Sequence, residues 1–493
     1  MKSSSKSPRA AVSLLLLASI IMSVVSCGAS GGEDTPETSP SGASTDETSS
    51  AVSGDGLPDK NLGDFELKML HYAQSSLSWT LTTLDVDSSD TGDRLNDAIY
   101  KRNRAIEERF GCKLVIDETN DLGASVIQKY AMSDDEGYDV YFMYDLLTLG
   151  AVEYLLDWNE MPYIRLDQKY WNPDATSVFE LRGKTYAAAG NFSLSVLSRA
   201  CGFAFNKDIY EKLNSDIDPY ALAADGKWTL DKMYSLASLA TSDLDGNTTM
   251  DENDLFGLGG SWKETFWRLI QGCGVSTVTK NSAGEPVFTL PSDEKAITKM
   301  QKIFDLFTDD KIYFNKLKDN IDSEDPPALD QFRDGKQFMT RMSFKVLDTM
   351  RTFDVNVGVL PCPKYDEAQE RYYAPSYGGE ISVLVKSLPE SRRENVGLLL
   401  EALSYDSEQN LIPEYTEVLL KTKGTRDNES EAMIDIILDS ICFDFGMNAW
   451  QDTVARPIIT NTYMRRKPEF ASTLAKMQTT VDGQIEKLLD QLD

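Results

Sequence analysis

Three short stretches decide the fold: FELKMLHY at Phe65–Tyr72, DRLNDAIYKRNRAIEERFG at Asp93–Gly111, and CKLVI at Cys112–Ile116. The first and third are short apolar runs of strand length. Between them Leu95, Ala98, Ile99, Ile106 and Phe110 recur at helical spacing, Asp93 stands where an N-cap is needed, and Gly111 stands where the helix must stop. A second helix is expected near Leu122 to Met132 and a third strand over Tyr138–Met143, YDVYFM. Strand, helix, strand, helix, strand with short connections predicts a parallel sheet with right-handed crossovers. Such sheets bind ligands beyond the carboxyl ends of their strands. That places Tyr72, Gln74 and Trp79 after the first strand, and Tyr144 and Asp145 after the third, beside a cleft.

Working outward, the alternation continues. Gly202–Asn206 (GFAFN), Val355–Leu360 and Ile381–Val385 read as strands, and Thr229–Ala240, Lys295–Phe307 and Glu394–Leu403 as helices. Phe470, Leu474, Met477, Val481, Ile485, Leu488 and Leu492 repeat at three and four, the pattern of a closing helix packed on the body more than of a coiled-coil seam. From Lys60 onward more than 430 residues remain, too many for one compact core, which predicts two lobes.

The N-terminus reads differently. Lys2, Lys6 and Arg9 precede the apolar run Ala10–Val25, which falls short of the ~20 residues of a membrane span and reads as a secretory signal over 1–26. Cys27 after Ser26 resembles a bacterial lipobox, so lipidation at Cys27 and anchoring at the extracellular face of the cell membrane are expected. Residues 27–60 are almost wholly Gly, Ser, Thr, Pro, Ala and acidic residues, a disordered tether reaching roughly 30 Å.

The net charge of −30, or −33 without the leader, argues against nucleic acid and against docking on anionic lipid, so the membrane is met only through the lipid. Five cysteines besides Cys27 are scattered without a CxxC pair and read as buried small hydrophobes. One histidine, His71, excludes chemistry that needs two and reads as structural.

Several segments in order then resemble the extracellular solute-binding proteins of ATP-driven (ABC) importers, in the sugar-binding, family 1-like branch. They are the strand–helix–strand above, Tyr138-Asp139-Val140, Leu155-Leu156-Asp157-Trp158, Gly183-Lys184-Thr185-Tyr186, Phe203-Ala204-Phe205-Asn206-Lys207, Lys227-Trp228-Thr229-Leu230, Phe332-Arg333-Asp334-Gly335-Lys336 and Gly358-Val359-Leu360-Pro361. Tyr415 to Asp435, with Lys421-Thr422-Lys423-Gly424-Thr425-Arg426-Asp427, looks typical of one large subgroup of these proteins. The resemblance implies an α/β, two-lobed, type II periplasmic-binding-protein fold with an interlobe ligand cleft and hinge crossings. It divides the chain into lobe 1 at 61–190 and 373–410, and lobe 2 at 191–372 and 411–493. It also implies a monomer that captures a small-molecule solute, a sugar, and passes it to ABC permease membrane subunits without chemistry or cofactor. By position it marks Asn191, Trp262, Trp267, Phe344, Tyr377, Glu380 and Trp450 as candidates to touch the solute, beside Gln74, Trp79, Tyr144 and Asp145. One departure is Arg341-Met342-Ser343-Phe344, where family members often carry Trp. An Arg there suits a carboxylate or phosphate, so the charge of the solute stays open.

Asp243–Asp254 (DLDGNTTMDEND) resembles an EF-hand or dockerin calcium loop, with candidate oxygens from Asp243, Asp245, Asn247, Thr249 (backbone), Asp251 and Asp254. Thr248 stands where the sharp turn favours Gly, and Asp254 where EF-hands carry Glu. A structural calcium is the expectation, against a plain solvated acidic loop. Two rival functions stay open on sequence: a secreted glycoside hydrolase, which needs only two carboxylates, and a transport-independent surface receptor of the same fold. The chain has no GxSxG and no HExxH.

Overall fold

Alternation along two strands sets the layers. In a computed structural model of the chain, residues 54–88, 92–121, 123–133, 137–315, 329–417 and 427–493 are described. The leader, Cys27, the tether up to residue 53, Leu122 and Lys421–Arg426 lie outside them. The first part runs β1 (Phe65–Tyr72), α1 (Arg94–Phe110), β2 (Cys112–Thr119), α2 (Ala124–Met132) and β3 (Val140–Tyr144). Asp93 accepts from the N–H of Leu95 and Asn96, and Gly111 ends α1 at φ 57°. β1 pairs in parallel with β2, Phe65 opposite Cys112, and with β3, Met69 opposite Val140. Leu67, Met69, Val140 and Phe142 pack on one face with Trp158, Trp171 and Leu399, while Leu70, Tyr72, Tyr141 and Met143 pack on the other. Both faces are therefore covered, as a parallel sheet requires.

The second part contributes β4 (Cys201–Asn206), α3 (Leu230–Ala240), β5 (Phe256–Gly259), α4 (Trp262–Gly272), α5 (Glu294–Phe307), β6 (Tyr313–Phe314), β7 (Gln337–Ser343), α6 (Phe344–Met350) and β8 (Val357–Pro361). These strands form a five-stranded sheet in the order β6-β5-β7-β4-β8. β7 runs parallel to β5 and antiparallel to β4, which brings Ser343 opposite Cys201. The chain then returns as β9 (Glu380–Val383), antiparallel to β3 with Glu380 opposite Tyr144, and completes a four-stranded sheet in the order β9-β3-β1-β2. α7 (Glu390–Asp406) covers that sheet. α8 (Phe470–Asp490) buries Phe470, Leu474, Met477, Val481 and Leu488 against the body, the closing helix that the spacing implied. No described helix is long and apolar enough to cross a membrane.

Two details correct the sequence reading. The stretch assigned to the tether is fixed at its end: Leu57 is buried and the Asp55 carboxylate accepts from Arg109 on α1. One apolar side chain and one matched charge suffice to dock a segment that composition alone marks as disordered. The third strand starts at Val140, because the Tyr138 N–H donates to the Tyr141 hydroxyl and its own hydroxyl donates to Asp117 at 2.9 Å.

His71 is buried edge-on to Phe142, and burial pushes its imidazole pKa down to about 4, so it is a neutral structural side chain at neutral pH. Cys112, Cys201, Cys273, Cys362 and Cys442 are all free thiols, the last half-buried.

One buried carboxylate ties α7 to the segment before the first crossing. Glu401, with no exposed side-chain surface, accepts from Arg165 Nε at 2.6 Å, the Tyr170 hydroxyl at 2.6 Å and Trp171 Nε1 at 2.8 Å. Glu401→Ala removes the acceptor of four donors, the Arg165 backbone N–H included, and is expected to cost about 3–5 kcal/mol, read as a lowered urea midpoint with unchanged slope.

Candidate functional site: a buried ionic cluster between the lobes

The site starts from a glycine. β5 runs straight into α4 through Gly260 at φ 131°, where an added Cβ would lie 2.9 Å from Thr265 Oγ1 and 3.3 Å from Arg341 Cγ. Ser261 Oγ then accepts from the Glu264 N–H and caps the helix. The first turn of α4 thus projects Lys263 and Glu264 from the carboxyl end of β5, where the helix dipole favours the carboxylate.

Glu264 is almost wholly buried and gathers partners from across the molecule. Its Oε2 accepts from Arg268 Nη1 at 2.7 Å and from the Tyr377 hydroxyl at 2.9 Å, and lies 3.9 Å from Arg199 Nη2. Lys263 Nζ stands 3.8 Å from its Oε1. Burial alone opposes ionisation of Glu264. The charges of Arg268, Lys263, Arg199 and Arg341 outweigh burial and hold the carboxyl well below the ordinary carboxylate range.

The crossings and lobe 1 supply the other wall. Arg199, on the outgoing crossing, donates from Nε to the Tyr377 carbonyl at 2.8 Å and from Nη1 to the Trp79 carbonyl at 3.4 Å. Trp79 Nε1 donates to the Gly378 carbonyl at 2.7 Å, and the Trp79 ring meets Tyr144 edge-on. Gln74 holds this loop by donating to the Leu77 and Thr80 carbonyls and accepting from the Thr82 N–H. Asp145 accepts from the Gly378 N–H at 3.0 Å and from Asn448 Nδ2 at 2.8 Å, which locks the return crossing to the C-terminal segment.

The structure therefore brings Trp79, Tyr144, Arg341 and Tyr377 together, with Gln74 and Asp145 as supports. It places other candidates elsewhere. Trp262 packs against Phe266, Tyr313 and the Arg466 guanidinium and lines a separate cavity of about 680 Å³ with Tyr313, Arg466 and Asp310, and Trp267 is fully buried in the core. Phe344 is buried beside a separate 190 Å³ cavity with Leu81, Leu194 and Tyr415. Asn191 donates to Glu408 and accepts from Asn172, and Trp450 packs on Phe445. Glu380 faces inward to the Tyr72 N–H and the Ser193 hydroxyl, and burial pushes its carboxyl well above the ordinary range. Sequence reading missed Arg199, Lys263, Glu264 and Arg268. The available signal was WKETFWR, three charges on a helix whose other residues are mostly apolar.

In the acidic loop, ligand oxygens of Asp243, Asp245 and Asp254 lie within 4.8 Å of one another, a spacing one calcium ion with oxygens at about 2.4 Å can bridge. Thr248 takes φ 70°, the left-handed turn for which Gly is usual. Asn247 instead accepts from the Thr249 N–H and donates to Asp245.

No family model matches the sequence, and no curated protein does. Solved structures match over most of the chain. A family 1 extracellular solute-binding protein from Bifidobacterium longum subsp. infantis is 11% identical with a TM-score of 0.54, covering 85% of this chain and 100% of that one. The GacH receptor of Streptomyces glaucescens GLA.O, solved unliganded and in complex with acarbose, is 14% identical with a TM-score of 0.51, covering 86% and 99%. The fold is that of the two-lobed, type II periplasmic-binding-type solute-binding proteins.

Glu264 and Glu380 are shifted in opposite directions, and substitution separates them. Glu264→Gln leaves Arg268 and Arg199 buried without their countercharge and is expected to lose about 3–5 kcal/mol at pH 7. Glu380→Gln replaces a carboxyl whose burial disfavours the anion and is expected to gain on the wild type as pH rises from 4 to 7. A raised carboxyl stabilises fully below the unfolded pKa of about 4.3 and loses that contribution as pH rises toward its folded value, so this variant gains on the wild type through that window. Urea titrations at pH 4 and pH 7 read both effects.

Proposed function

We propose that this protein captures a carbohydrate between its two lobes and delivers it unchanged to an ABC-type permease. The observation that carries the reading is the polar cluster buried where the lobes and both crossings meet, at the carboxyl ends of the strands. A closing cleft keeps such groups ready for a polar solute and excludes water around it. A solved neighbour named as an extracellular solute-binding protein, and another named as a receptor and solved in complex with acarbose, support it. A hydrolase fits less well. The solved neighbours are named as a solute-binding protein and a receptor, not as hydrolases.

In this reading the mature chain is a monomer on the extracellular face of the membrane, anchored through a lipid on Cys27, its tether holding it near the permease. A structural calcium at the Asp243–Asp254 loop pins part of lobe 2.

Thermal unfolding against mono- and oligosaccharides tests the capture. A bound sugar is expected to raise Tm with concentration, equivalent to about 2.7 kcal/mol at a hundredfold excess over Kd. Release of reducing ends instead indicates hydrolysis. Calcium is expected to raise Tm on its own, reversibly with a chelator, and Asp243→Ala to abolish that rise.

A further inference from the structure

Two thiols face each other at the edge of the five-stranded sheet. β8 is an edge strand and runs antiparallel to β4, with Leu360 opposite Phe203 and Pro361 opposite Gly202. The next step of that register sets Cys362 opposite Cys201, and the Cys362 thiol donates to the Cys201 carbonyl at 3.6 Å. Residues directly opposite in an antiparallel pair share a face and hold their Cα atoms about 4.5–5.5 Å apart, inside the ~4.4–6.8 Å that a disulfide spans. α4 covers the pair closely, since a Cβ added at Gly272 would lie 2.7 Å from Cys362 Cβ. Cys201 and Cys362 are both fully buried, and burial pushes both thiols above their ordinary range. Once packed they are shielded and inert, so any bond between them is made while the sheet assembles. The chain between them carries all five strands of that sheet, and Cys201 comes just after Arg199 on the outgoing crossing.

We propose that Cys201 and Cys362 form a disulfide as the chain folds outside the cytoplasm, fastening the edge strand β8 to β4 beside the outgoing crossing. The inference is independent of what the lobes capture and takes from the proposed function only the export of the chain, into a compartment where such bonds persist. An external disulfide is the oxidant. One protein thiolate attacks it to give a mixed disulfide, and the second displaces the carrier thiolate from that sulfur. One S–S bond forms as another breaks, and the two protons and two electrons of the protein thiols end on the oxidant, which leaves as two thiols. A bond closing so long a loop removes much of the freedom of the unfolded chain.

Refolding of the purified full chain from urea tests it, with oxidised and reduced glutathione in one arm and a reductant alone in the other. Free thiols are then alkylated and the protein is digested without reduction. Trypsin cuts after Arg199, Lys207, Arg351 and Lys364, which puts the two cysteines on separate peptides, 200–207 and 352–364. Mass spectrometry is expected to find these two linked, and to find them apart after reduction. The oxidised protein is expected to melt about 5 °C or more above the reduced one. Cys201→Ser and Cys362→Ser are each expected to abolish the linked peptide and the rise in Tm, while Cys273→Ser and Cys442→Ser keep both. The wild-type peptide map decides the matter even where a serine variant fails to fold. Oxidant added to folded, reduced protein is expected to link the pair roughly tenfold or more slower than during refolding. Recovery of both peptides alkylated from the oxidising arm overturns the inference, and so does linkage of either one to Cys27, Cys112, Cys273 or Cys442 instead. Linkage without a rise in Tm overturns the fastening role.

Discussion

One carboxylate organises the junction of this molecule. Glu264 is the point at which lobe 2, through α4, meets the outgoing crossing at Arg199 and the return crossing at Tyr377. Each partner alone is a costly group to bury. A guanidinium removed from water without a countercharge costs several kcal/mol, and so does an unpaired carboxylate. Held together they stay charged, and the arrangement persists only while the lobes hold this relation. The crossings are thereby defined by electrostatics as well as by backbone, since Arg199 Nε also bonds the Tyr377 carbonyl and Asp145 the Gly378 N–H.

Local backbone chemistry makes that placement possible. Gly260 allows the strand-to-helix turn, Ser261 caps the helix, and the first turn of α4 then falls at the sheet end. In lobe 1 the same end is occupied by Trp79 and Tyr144, and the antiparallel return of β9 sets Tyr377 and Gly378 between them. Neither lobe holds the site alone.

Much of the fold was legible in the sequence because its signals are local. Asp93, Gly111 and the apolar spacing between them specify α1 without reference to anything distant, and the parallel pairing of β1 and β2 follows from the crossover they require. The site was legible only in part. Trp79, Tyr144 and Tyr377 were reached from strand ends and crossing positions. Trp262 and Trp267 lie apart from the Glu264 cluster, and an aromatic near a strand end reads the same in sequence whether it faces a cleft or the core. Tyr313, Phe266 and Arg466, distant or shared with the packing, set the place of Trp262 beside a different cavity. Arg199 and Arg268 were overlooked for the opposite reason. Charged residues are presumed solvated, and their burial depends on Glu264 and on the return crossing more than a hundred residues later. The docking of Leu57 and Asp55 escaped for the same reason, since Arg109 belongs to another element.

A core of aliphatic side chains at this junction would hold the lobes more cheaply, since buried ion pairs are often no better for stability than well-packed hydrophobes. It would also hold them shut. Apolar surface exposed on opening gains nothing from a polar solute, whereas guanidinium, carboxylate and phenol groups are hydrated when the lobes part and bonded when they meet. In the proposed capture, a ligand shifts such an equilibrium only by its differential affinity for the closed form. In that reading Glu264, Arg199, Arg268 and Tyr377 are the groups whose hydration or bonding sets the balance.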